Sequence, residues 1–91
     1  MSLYEVCEYL YKAFVKTGYP GIGAIGSTED AWIISAAPEV PGEVEYGNAP
    51  YIIDKHTGEI RGFSIFSDAD WKISETAVKV EVPDQFKPKY N

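Results

Sequence analysis

Leu3, Val6, Cys7, Leu10 and Phe14 follow the i, i+3, i+4, i+7, i+11 pattern of one apolar stripe, which predicts an amphipathic helix over residues 3–17. Ser2 and Glu5 have the S-x-x-E spacing of a capping box, in which each side chain satisfies an otherwise unpaired N–H at the helix start. Gly18 suits the position just past the helix end, and Pro20 forbids continuation. Cys7 falls on the stripe, so it reads as an inert core thiol.

The period then changes from helical to extended. Residues 22–26 and 31–37 read as two strands of a hairpin, joined by the polar turn Ser27-Thr28-Glu29-Asp30. Residues 50–54 and 59–66 predict a second hairpin around Asp54-Lys55-His56-Thr57-Gly58, with Asp opening the turn and Gly closing it at positive φ. Between the hairpins, residues 38–49 hold two prolines, two glycines and three glutamates, which predicts a long loop. Residues 67–75 carry no decisive period; Ser67 or Asp68 can cap a short helix through Trp71. Thr76, Val78, Val80 and Val82 alternate with Ala77, Lys79 and Glu81, the period of a half-buried strand that Pro83 ends. The tail from about residue 84 reads as frayed except at Phe86 and Tyr90. The expectation is one α+β domain over residues 1–91, an N-terminal amphipathic helix packed on a mainly antiparallel sheet of about five strands.

Composition keeps the chain among ordinary globular proteins, at 45% hydrophobic and 24% charged. A single cysteine excludes an intramolecular disulfide and a thiolate metal cluster. With neither a signal-peptide pattern at the N-terminus nor an apolar run near membrane-spanning length, a cytoplasmic protein is expected. The seven tyrosines are in excess, and a ring with its hydroxyl in water suits a binding face.

Charge adds a direction. The net charge of −6 resides in residues 17–54, where Glu29, Asp30, Glu39, Glu43, Glu45 and Asp54 meet no basic residue. Such a field repels nucleic acids and anionic membranes and attracts basic protein surfaces. A negative balance that only maintains solubility is the plainer account; its segregation favours an acidic binding face.

The catalytic inventory is nearly empty. Gly21-Ile22-Gly23-Ala24-Ile25-Gly26 matches G-x-G-x-x-G letter for letter, but a dinucleotide site needs a strand before it and a helix after it. Here the order is reversed, so the run reads as a glycine-rich strand packed closely under the helix. His56, the only histidine, falls at the tip of an exposed turn, a poor place for a relay. Asp68-Ala69-Asp70 lacks the glycine and distal glutamate of a calcium loop, and reads as support for a turn or cap. No catalytic residue, cofactor or metal ligand is assigned.

Residues 46–60, Tyr-Gly-Asn-Ala-Pro-Tyr-Ile-Ile-Asp-Lys-His-Thr-Gly-Glu-Ile, resemble the signature of the Immunity protein 35 family, also called the YrhB-like domain. The order of elements agrees with that family over residues 3–66, including a tryptophan on the first hairpin. The resemblance implies a cytoplasmic immunity protein that binds a cognate polymorphic toxin and blocks it; one branch of the family is associated with chaperone-like behaviour instead. The partner surface expected here comprises Glu39, Glu43, Glu45 and Tyr46 of the long loop, with Glu29 and Asp30 of the first turn. The expected partner is a toxin with a basic surface. Two other readings compete: a chaperone-like or stress-related binder working through exposed apolar surface, and a small enzyme. The oligomeric state is left open.

Overall fold

The computed structural model describes residues 2–40 and 50–90. Helix α1 (Leu3–Lys16) begins as its sequence dictates: Glu5 N–H donates to Ser2 Oγ at 3.2 Å while Ser2 N–H donates to Glu5 Oε1 at 3.3 Å. A cap of this kind stabilises a helix by about 1 kcal/mol. Val6, Cys7, Leu10 and Phe14 are buried along the stripe, each of the larger ones contributing about 1.5–3 kcal/mol. Gly18, at φ 100°, turns the chain away from the helix.

Strands β1 (Ile22–Ser27), β2 (Ala31–Ala36), β3 (Tyr51–Asp54), β4 (Ile60–Gly62) and β5 (Val78–Val80) form one sheet in the order β4-β3-β2-β1-β5. Every neighbouring pair is antiparallel. The protein is thus α+β, with α1 on a five-stranded antiparallel sheet. Ile22, Ile25, Ile34, Ala36 and Ile53 form the core with the α1 stripe and Phe86.

Ile22 and Ile25 are three residues apart, a spacing that a regular strand would send to opposite faces. A register shift between Ile22 and Ala24 inserts Gly23 as a bulge and brings both isoleucines inward. The strand that carries the G-x-G-x-x-G run packs under α1, as expected from sequence, and it does so through Ile22 and Ile25. A Cβ on Gly21 would lie 2.8 Å from the Lys87 carbonyl oxygen, and one on Gly23 would lie 2.9 Å from Ala37 Cα. Neighbouring backbone thus leaves no room for a side chain at Gly21 or Gly23, and at Gly26 a Cβ would lie 2.8 Å from both Ala77 Cβ and Ile33 Cγ2.

A second helix, α2 (Asp68–Thr76), covers part of the opposite face. Ser67 is its N-cap, accepting from Asp70 N–H at 3.2 Å. The helix continues past Trp71 to Thr76, so Thr76 belongs to it and not to the following strand. The alternation over 76–82 becomes a strand only at Val78–Val80, where β1 offers Ser27, Gly26 and Ile25 as partners. The strand expected over 59–66 shortens to β4 for a related reason: Ser64 N–H leaves the ladder and donates to the Asp70 carboxylate at 2.9 Å.

The tail, expected to fray from about residue 84 except at Phe86 and Tyr90, is tied to the body at both of those residues and also at Lys89. A 3-10 turn at Asp84–Phe86 buries Phe86 against Tyr4 and Tyr11. Lys89 N–H donates to the Pro20 carbonyl at 3.2 Å, and Tyr90 Oη–H donates to the Pro38 carbonyl at 2.8 Å.

Candidate partner-binding surface

The β1–β2 turn and the β3–β4 turn lie side by side at one end of the sheet. Antiparallel pairing of Ala31 with Asp54 sets them there, since each turn leaves the sheet beside that pair. Lys55 joins them. Its N–H donates to the Asp30 carbonyl at 2.9 Å, and its ammonium donates to Ser27 Oγ at 2.7 Å and to the Thr28 carbonyl. The same ammonium lies 5.1 Å from the centre of the Trp32 ring, a cation–π distance. Within its own turn, Thr28 Oγ1 accepts from Ala31 N–H at 3.0 Å.

Across the turns, His56 Nε2 stands 2.9 Å from Asp30 Oδ1, and both side chains are well exposed. The hydrogen bond from the imidazole to Asp30, followed by the charge of that carboxylate, raises the His56 pKa above its usual value. Asp54 Oδ1 accepts from the backbone N–H groups of His56 (2.7 Å) and Thr57 (3.1 Å), which lowers its pKa. Gly58 closes that turn at φ 77°, where a side chain would be strained. His56 is thus held by a partner, although sequence placed it on an unsupported tip. Glu29 and Asp30 project from a turn whose backbone is fixed from both sides.

The other expected contact residues are elsewhere. Glu39 follows the far end of β2, near Gly18, whereas Asp30 precedes the near end. Six strand residues separate the two ends, a span of about 20 Å at the usual rise. Glu43, Glu45 and Tyr46 lie outside the described residues. Glu29, Asp30 and Glu39 therefore form no single patch.

No family model, curated protein or solved structure matches this chain.

Chemistry on the described residues is sparse. Cys7 is fully buried in the core, and burial pushes its thiol up to about 11, well above the range of a reactive thiolate. No group of three or more His, Cys, Asp or Glu side chains is placed to share a metal ion among the described residues. No described helix is long and apolar enough to cross a membrane. A groove of about 480 Å³ beside β1 is lined by Ile22, Val80, Val82 and Pro88 together with Lys79, Glu81 and Lys87. The Lys87 ammonium already pairs with Asp84 at 3.0 Å and with Glu81 at 3.6 Å.

The feature that sequence reasoning missed is the loop between β4 and α2. Asp70 is 1% exposed and takes both arms of Arg61, Nη1 to Oδ2 at 2.8 Å and Nη2 to Oδ1 at 2.6 Å. Arg61 lowers the Asp70 carboxyl to about 2, helped by the Ser64 N–H and opposed by burial. Further bonds fix the loop between these anchors. Ser67 N–H donates to the Ser64 carbonyl at 3.1 Å, and Trp71 Nε1–H donates to the Ile65 carbonyl at 2.8 Å. Phe63 meets Trp71 edge to face, with centroids 5.1 Å apart. At the tip, Ile65 is 62% exposed and Phe66 93% exposed, beside a half-exposed Trp71. The run Phe63-Ser64-Ile65-Phe66 just ahead of a helix cap was the available signal, but apolar residues at a strand end read by default as core.

Proposed function

We propose that this chain is a protein-binding domain that neutralises a cognate bacterial toxin in the cytoplasm by direct association, without catalysing a reaction. The observation that carries the reading is the doubly braced turn presenting Glu29 and Asp30. Lys55 holds the turn from beneath and His56 from the side, so the two carboxylates meet a partner from a backbone already in place. Preorganisation of this kind reduces the entropy lost on association, and an acidic surface speeds the approach of a basic one. The resemblance of residues 46–60 to the Immunity protein 35 signature supplies the kind of partner, a toxin with a basic surface. Binding of nucleic acid or membrane forms no part of the proposal.

The test is association of the purified chain with the protein encoded by the neighbouring gene, followed at low and high salt. Reversing both charges (Glu29→Lys with Asp30→Lys) is expected to slow association at low salt by about tenfold or more, with the difference shrinking at high salt. Failure of the unaltered chain to bind that protein removes the toxin reading. Equal rates for both forms at every salt concentration remove the acidic turn from the contact.

Exposed Ile65, Phe66 and Trp71 favour a second reading, a chaperone-like binder of unfolded clients. That reading requires suppression of aggregation of several unrelated heated proteins, measured by light scattering.

A further inference from the structure

We propose that the loop between β4 and α2 is an apolar contact surface anchored by Phe66, fitted to a partner protein that offers an apolar pocket with a basic rim. The inference rests on the protein-binding reading and adds to it the residue that fills the partner and the chemistry of the place it fills.

Exposure is the first argument. Scattered single apolar residues are normal on a protein surface, but here Ile65, Phe66 and Trp71 stand together on one short loop. Aromatic side chains set into a partner's pocket are the usual energetic centres of protein interfaces.

Rigidity is the second. An apolar tip on a slack loop would fold back onto its own sheet. This loop is held outward by the Arg61–Asp70 pair, the Ser64 N–H on the same carboxylate, and the Trp71 indole on the Ile65 carbonyl. Burying a carboxylate carries a desolvation cost, and here the buried group fixes the loop that displays Phe66. A preset loop suits one partner of matching shape better than many unfolded clients.

Charge is the third. Exposed Asp68 lies two residues beyond Phe66, in the first turn of α2. The Arg61 charge is already engaged by Asp70. An acidic group therefore borders the tip, and a net charge of −6 on each chain opposes a second copy as the occupant.

Helix α2, which follows the loop, borders the acidic turn. A shallow groove of about 320 Å³ is lined by Glu29, Asp30 and Ala31 on one side and by Ala69, Lys72 and Ile73 of α2 on the other. Ala69 is three residues from Phe66, so one partner can seat its apolar pocket on Phe66 and its basic rim on Asp68, Asp30 and Glu29.

The experiment titrates the neighbouring gene's product against the unaltered chain, against Phe66→Ala and against the Glu29→Lys, Asp30→Lys double variant. Phe66→Ala is expected to weaken binding by about thirtyfold or more at both low and high salt, mainly through faster dissociation, with an unchanged melting temperature. The melting temperature separates a lost contact from a lost fold. Ile65→Ala, with its smaller side chain, is expected to weaken binding less. Unchanged affinity for Phe66→Ala, alongside a salt-dependent loss for the charge variant, overturns this inference and leaves the protein-binding reading standing. No binding by the unaltered chain overturns both. A dimer in sedimentation that Phe66→Ala converts to monomer also overturns it, assigning the loop to a second copy. So does a loss of aggregation suppression towards several unrelated clients on the same substitution.

Discussion

Arg61 and Asp70 meet through two parallel hydrogen bonds of 2.8 and 2.6 Å, one residue on an edge strand and the other inside the first turn of α2. The two ends of the pair differ: the Arg61 side chain is 46% exposed, the Asp70 side chain 1%. Arg61 can recover water if its partner is lost, whereas Asp70 cannot. The pair is therefore asymmetric in what its breakage leaves behind.

Arg61→Ala is expected to destabilise the fold by about 3–5 kcal/mol, because it leaves a buried carboxylate unpaired. Asp70→Asn keeps an acceptor for Ser64 N–H and frees Arg61 into solvent, so a smaller loss of about 1–3 kcal/mol is expected. Urea denaturation of both variants checks the order. Equal losses, or a larger loss for Asp70→Asn, would show that the carboxylate is not stranded.

Acid should act through the same group. The Asp70 pKa is lowered on folding to about 2, so its contribution to stability is fully present above the unfolded value near 3.8 and disappears as pH falls through both values. The unaltered chain is expected to lose stability between about pH 5 and 2 more steeply than Asp70→Asn. Melting temperatures across that range decide it, and parallel curves for the two forms would remove Asp70 as the cause.

Gly21→Ala tests the crossing of the tail over β1. Its added Cβ would meet the carbonyl oxygens of Lys87 and Phe86 at 2.8 and 2.9 Å. Backbone must shift to relieve this, which costs about 1–3 kcal/mol. Amide exchange at Lys89, whose N–H bonds to the Pro20 carbonyl, is expected to accelerate most. Protection at Lys89 equal to that of the unaltered chain would show that the tail does not depend on this contact.

These features were unequally legible in sequence. Helix α1 could be read because its start and its inward face are both written locally, in Ser2 with Glu5 and in the spacing of Val6, Leu10 and Phe14. The second hairpin could be read because Asp54 and Gly58 have the chemistry its turn demands. Helix α2 was obscure for the opposite reason. Its buried position is Asp70, a charged residue that a hydrophobic pattern cannot count as inward, and its partner Arg61 lies on another element. The turn carrying Glu29 and Asp30 was legible as a turn, but its brace was not, since Lys55 and His56 reach it only through the β2–β3 register. Glu39 looked close to Asp30 along the chain, and a strand running between them carries it to the far end. Phe66 was hidden by the ordinary rule that a phenylalanine beside a strand belongs inside.

The bulge in β1 decides how that strand can change length. In a regular strand, losing one residue exchanges inside for outside along everything on one side of the gap. At Gly23 the reverse holds: the chain already carries one residue too many for strict alternation, facing Ala36 and Ser35 with Ile22, Gly23 and Ala24. Shortening β1 by that residue would leave Ile22 and Ile25 both pointing inward, on a straighter and less twisted strand. A bulky replacement at the same position would instead collide with Ala37. Gly23 is thus a place where deletion disturbs the inside–outside order less than substitution disturbs the packing.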